Sequence, residues 1–174
     1  MADHDFKRER RDLYAPAARD FTLVDVPAMT FFAVGGAGNP NTSPAYREAV
    51  EALYAASYAA RFQSKHDGRA YVVGPLEGLW SADDPAAFVR RDKESWRWTM
   101  LIRQPDWLTP DQLEAAIGAA RIRQDRPGQD AIRILTLAEG PSLQILHRGA
   151  YDDEGPTLAR LHDVEMPARG ATFN

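Results

Sequence analysis

Glu77 is the carboxylate whose neighbours best suit it for binding chemistry. It lies in the run Y-V-V-G-P-L-E-G-L-W-S over 71–81, between Leu76 and Gly78 and three residues before Trp80. An Asp/Lys/Arg-rich link follows, then S-W-R-W-T-M-L-I-R-Q-P over 95–105, which carries Trp96 and Trp98. Two apolar, β-branched and aromatic runs about a polar link read as adjacent strands. Strand side chains repeat every two residues, so Trp96 and Trp98 are expected on one face. A carboxylate among indole rings suits a flat, hydrophobic, partly cationic or polarised small molecule. The competing reading makes the indoles ordinary core and turns Glu77 to water.

Composition narrows the classes. The chain has 174 residues, 44% hydrophobic and 26% charged, which is globular rather than disordered and suits one domain or two half-size repeats sharing a core. The net charge of −4 supplies no basic face for nucleic acid. No cysteine is present, which excludes disulfides, thiolate nucleophiles and cysteine-ligated zinc. No run approaches the roughly 18 apolar residues of a membrane span. M-A-D-H-D-F-K-R-E-R-R-D lacks the apolar stretch of a signal peptide, so a cytoplasmic protein is expected.

The elements that must position these residues follow in order. A charged arm over 1–20 ends near Pro16. Residues 21–34 read as a strand, a break at Pro27 and a second strand. In G-G-A-G-N-P-N-T-S-P, Gly35, Gly36 and Gly38 fit a strand-to-helix turn better than a phosphate loop, because neither G-K-[ST] nor G-x-G-x-x-G spacing is present. Ser43 and Pro44 start a helix to about Gln63, with Tyr46, Val50, Leu53, Tyr54, Ser57, Tyr58 and Arg61 at helical spacing. That stripe reads first as core, but Tyr54 and Tyr58, one turn apart, could line a pocket. Thr109, Pro110 and Gln112 form a capping-box start for a helix to about Gln124. Strands over 131–138 and 142–149 come next, then a helix begun by Pro156 and stopped by Pro167.

Two segments share the order strand, Gly turn, Pro and helix, aligning Gly36 and Ala37 with Gly149 and Ala150. The first helix is followed by two strands, whereas only Pro167–Asn174 follows the second. The second unit therefore reads as short of about two strands, with an edge left bare. The expected fold class is α+β: two pseudo-symmetric strand–helix–strand–strand modules sharing an antiparallel sheet and cleft, the second incomplete. The expected organisation is a single domain with an arm over 1–20, a first module over 21–105, a connecting helix over 106–130 and a second module over 131–174. Among weaker constellations, His147 and His162 are fifteen residues apart, H-E-x-x-H is absent, and no serine sits in G-x-S-x-G, so neither a metal site nor a serine hydrolase is expected.

The runs D-F-K-R-E-R-R-D-L-Y-A-P, V-D-V-P-A-M-T-F-F-A-V-G-G-A-G-N-P-N, Y-V-V-G-P-L-E-G-L-W, S-W-R-W-T-M-L-I-R-Q-P-D and L-Q-I-L-H-R-G-A-Y-D-D-E resemble the GyrI-like (gyrase-inhibitor-like) small-molecule-binding proteins. The resemblance covers nearly the whole chain. It implies a two-module cleft that either binds effectors or, in the stand-alone branch resembling cyclopropanoid cyclopropyl hydrolases, detoxifies DNA-alkylating natural products. That branch continues past the position of Asn174 with a segment like H-E-I-Y-L, which supplies a glutamate and a tyrosine to the cleft and has no counterpart here.

Opening a cyclopropane conjugated to a dienone needs water delivered to a ring carbon and charge stabilised on the carbonyl oxygen. In this reading Glu77 is the base, provided burial raises its pKa, and Tyr151 is the hydrogen-bond donor. Tyr54, Tyr58, Trp80, Trp96, Trp98 and His147 are the ligand-binding residues. No cofactor is called for. The expected partner is a hydrophobic or aromatic small molecule, with neither nucleic acid nor membrane, and a homodimer is allowed. The alternative is a non-catalytic module that sequesters or senses drugs.

Overall fold

The computed structural model describes residues 3–84, 86–123 and 127–171, and the backbone alone at residue 89. In chain order its regular elements are α1 (Phe6–Glu9), α2 (Arg11–Tyr14), β1 (Thr22–Val26), β2 (Met29–Ala37), α3 (Pro44–His66), β3 (Leu76–Ser81), α4 (Ala86–Arg90), β4 (Arg97–Arg103), α5 (Pro110–Arg123), β5 (Arg133–Leu137), β6 (Gly140–Gln144), α6 (Gly155–Arg160) and α7 (Met166–Ala168). The fold is α+β with two antiparallel sheets. The chain divides into two compact units, one of Met1–Glu9 with Ala28–Ala138, the other of Arg10–Pro27 with Glu139–Asn174.

The first unit is built on the antiparallel sheet β3-β4-β2-β5. The order β2, α3, β3, β4 is a strand–helix–strand–strand module. Its helix starts as the sequence dictates, for the Ser43 hydroxyl accepts from the Tyr46 N–H at 3.3 Å with Pro44 in the first turn. The Thr109 and Gln112 capping box closes in both directions, at 3.0 and 3.3 Å. The register Gly36↔Trp98, Val34↔Met100 and Phe32↔Ile102 sets these side chains on one face of the sheet. Ring contact from Tyr46 to Trp98 and the bond from Gln104 to Ser57 show that α3 covers this face. Its small residues Ala49, Ala52, Ala56 and Ala60 are fully buried and let helix and sheet approach closely.

A buried polar network lies at one end of that interface. The Gln104 amide donates to the Ser57 hydroxyl at 3.1 Å and to the Ile102 carbonyl at 3.0 Å. The Tyr71 hydroxyl lies 3.3 Å from Gln104 Oε1 and 3.4 Å from the Ser57 carbonyl. Burial pushes the Tyr71 hydroxyl well above the ordinary phenol range, against a smaller opposing pull from the Arg61 guanidinium. A phenol raised on folding leaves stability intact below its unfolded pKa of about 10 and erodes it as pH climbs through the folded value. Alkaline unfolding should therefore steepen above roughly pH 10. Tyr71→Phe should remove that slope while costing about 1 kcal/mol at neutral pH, read as a shift in urea midpoint.

The second unit pairs β1 with β6, from Thr22↔Gln144 to Val26↔Gly140. Leu146 N–H donates to the Ala17 carbonyl at 2.9 Å. Arg160 is the unit's clasp: it donates to the Arg19 carbonyl at 3.0 Å and to Glu165 at 2.8 and 3.1 Å, and its guanidinium stands 5.3 Å from the Phe21 ring centre. Hydrogen bonds from Arg169 first, then Arg160, hold the Glu165 carboxyl below the ordinary carboxylate range. Stability from such a lowered acid is present above the ordinary range and is lost as pH falls through the folded value. Glu165→Gln should therefore flatten the acid limb of the unfolding curve, measured by circular dichroism.

Several elements depart from the sequence expectation. Gly35 and Gly36 lie inside β2, and of the three glycines only Gly38, at φ 94°, needs a left-handed turn. Residues 72–75 are not strand, and Tyr71 instead bridges His4 of the arm. The polar link holds α4 and a 3₁₀ turn over Lys93–Ser95. β6 ends at Gln144, five residues before the expected strand does. Pro167 does not stop its helix. A π-turn over Leu161–Glu165 widens the preceding turn, which relieves the clash between a proline ring and the carbonyl four residues back, so α7 follows directly.

Candidate functional site

Trp80 and Trp98 are direct cross-strand partners on β3 and β4. Tyr46, in the first turn of α3, stands edge-on to Trp98 at 5.1 Å and near-parallel to Trp80 at 6.3 Å. Trp96, just before β4, meets Trp80 edge-on at 5.6 Å, and Phe88 of α4 lies 5.2 Å from Trp96. Trp98 is 3% exposed and is core, whereas Trp80 is 40% exposed on the edge strand. Two glycines make the room. A Cβ on Gly36 would lie inside the Trp98 ring, and one on Gly78 would meet Trp80 Nε1 at 3.0 Å. The indole N–H groups of Trp96 and Trp98 are sealed from solvent without a hydrogen-bond partner among the described residues. A buried donor of that kind costs on the order of 1–3 kcal/mol.

Glu77 is not among these rings. It pairs with Leu101, and its three-residue separation from Trp80 places it on the opposite face of the sheet. An odd spacing within a strand requires this, so the sheet stands between the carboxylate and the indoles. Glu77 shares its face with Leu79, Leu101, Phe31 and Ala33, and is half-buried. Arg103 is on the same face, two residues from Leu101, and diagonal neighbours of an antiparallel pair stand roughly 7–8 Å apart. Arg103 is 5% exposed, its guanidinium 4.6 Å from the Phe6 ring centre and 3.6 Å from Asp106. Its Nε and Nη1 have no hydrogen-bond partner among the described residues.

The remaining predicted residues fall elsewhere. Tyr54 and Tyr58 have tilted rings 6.4 Å apart on α3, and Tyr58 is 47% exposed on the side of the helix that meets α5. His147 and Tyr151 belong to the second unit. His147 Nε2 is 3.1 Å from the Ala150 carbonyl, and Tyr151, 87% exposed, opens a 3₁₀ turn over Tyr151–Asp153. The structure thus gathers Trp80, Trp96 and Trp98 with Tyr46, and sets Glu77 across the sheet with Arg103. Tyr46 and Arg103 were not singled out as site residues by sequence reasoning. Alternation from Glu77's partner Leu101 is the signal that finds Arg103, and it needs the register. Among the described residues no helix is long and apolar enough to cross a membrane.

No protein-family model and no curated protein matches the chain. Solved structures do. An uncharacterized conserved protein from Listeria innocua superposes at a TM-score of 0.86 with 34% identity, over 97% of this chain and 82% of that one. Two structures described as hydrolases from Listeria innocua superpose at 0.84 and 0.82, with 34% and 32% identity. These matches cover 97% of this chain and 82% and 85% of theirs. The fold and this level of identity define one class of α+β protein. The chain belongs to the family of these Listeria proteins.

Proposed function

We propose that this protein is a hydrolase of the GyrI-like kind, acting on electrophilic cyclopropanes in planar hydrophobic natural products and so detoxifying them. The supporting observation is 34% identity to a hydrolase across 97% of the chain, at a TM-score of 0.84. The β2–α3–β3–β4 module agrees with the strand–helix–strand–strand grammar of that family. In the reaction, water forms a C–O bond to a ring carbon while the strained C–C bond breaks. The electron pair of that bond passes into the dienone, which becomes a phenolate, and the water proton goes to Glu77. Proton return to the phenolate closes the balance.

The second reading, a module that sequesters hydrophobic ligands without turnover, draws support from the separation of Glu77 from the indoles. An aromatic surface at Trp80 needs no carboxylate to bind a flat molecule. Incubation with a cyclopropane-bearing dienone separates the two. Loss of the dienone absorbance over many equivalents of substrate per protein is expected for the hydrolase. A shift that stops at one equivalent would overturn it.

A further inference from the structure

We infer that the cavity between α3 and α5 is a second binding site, distinct from the Glu77 face, and that it takes planar aromatic anions such as aryl sulfonates and carboxylates. Its volume is about 470 Å³, within the range of about 300–1,000 Å³ that holds small-molecule ligands. Ala55, Ala59, Ala119 and Ala120 form a flat floor of small side chains, with Tyr58 and Phe62 beside it. These two aromatics, 47% and 52% exposed, stand one helical turn apart. A large aromatic pair left open beside an alanine floor buries further apolar area when a flat body lies against them.

Charge sets the ligand class. Arg123 is the single charged side chain among the described residues that line the cavity. Two other arginines on these helices are engaged: Arg121 faces Asp130 at 3.4 Å and Arg61 bonds the Tyr71 carbonyl at 2.8 Å. Arg123 makes no ion pair or hydrogen bond among the described residues. A guanidinium at the rim of an apolar slot fits an acid carried on an aromatic body. The carbonyl end of α5 lies at this same residue and offsets part of its field. The apolar body therefore supplies most of the affinity, and the charge supplies the choice between an acid and its neutral analogue.

The probes are 1-anilinonaphthalene-8-sulfonate and its uncharged counterpart N-phenyl-1-naphthylamine, titrated by fluorescence against the full chain. Ala59→Trp, which fills the slot, should weaken the sulfonate at least tenfold. Phe62→Ser, at a half-exposed position, should weaken it severalfold and stands in if the tryptophan variant loses its far-ultraviolet circular dichroism. Arg123→Ala should weaken the sulfonate about three- to tenfold and leave the amine unchanged. Unchanged sulfonate affinity in both slot variants would overturn the site. Equal effects of Arg123→Ala on the two probes would overturn the anion preference and leave a slot for neutral hydrophobes or an apolar helix. Dienone turnover at the wild-type rate in the slot variants keeps the two sites separate, and its loss would overturn their independence.

Discussion

Gly36→Val should destabilise the first unit by about 3 kcal/mol or more, a large share of a domain's typical margin. The cause is local. A Cβ at this position would lie 2.2, 2.4 and 2.8 Å from three carbons of the Trp98 ring, far inside the roughly 3.5–4.0 Å of a favourable carbon contact. Neither side can yield cheaply, since Gly36 and Trp98 are register partners on paired strands and Tyr46 stands against the same indole. Either β2 moves or Trp98 leaves the core, and truncating a buried tryptophan costs about 3–5 kcal/mol. The urea midpoint should fall with little change in slope. In a Trp98→Ala background the cost of Gly36→Ala should shrink sharply, because the two substitutions remove one contact. An unshifted midpoint for Gly36→Val would mean that the indole does not lie over Gly36.

Glu77→Gln should reduce cyclopropane turnover by about 10²- to 10⁴-fold, the usual contribution of a positioned general base. The amide keeps the shape of the carboxylate and cannot take the proton of water. Glu77 is half-buried at an edge strand, so the urea midpoint should stay within roughly 0.5 kcal/mol of wild type. Ligand affinity should change little, because the amide has the size and shape of the carboxylate it replaces. Turnover that survives this substitution would remove Glu77 from the chemistry and leave the aromatic surface as a binder alone.

Local chemistry was legible in the residues themselves. Ser43 with Pro44, and Thr109 with Gln112, announce two helix starts because a cap is satisfied within four residues. The aromatic and β-branched runs announce β2, β3 and β4 because alternation is a local property. What failed to read locally depends on partners far along the chain. Gly36 looks like a turn glycine until Trp98 of β4 is laid over it. Tyr71 looks like strand, yet its hydroxyl belongs to a network with Ser57 and Gln104 that only the folded chain assembles. Glu77 reads as a neighbour of Trp80 in sequence, and the pleat sends the two to opposite faces. Arg103 carries no signal of its own, for its meaning comes from sharing a face with Glu77. The pairing of β6 with β1 joins residues more than a hundred positions apart, and no local pattern specifies it.

On the proposed function the chain hydrolyses strained electrophiles rather than merely holding them. The most direct measurement is mass spectrometry of the product formed by wild-type protein in heavy-oxygen water from a cyclopropane-bearing dienone. Hydrolysis gives many products per protein, each carrying one heavy oxygen on the carbon released from the ring. Recovery of unchanged dienone, or of a covalent adduct on the protein with no labelled product, would contradict it.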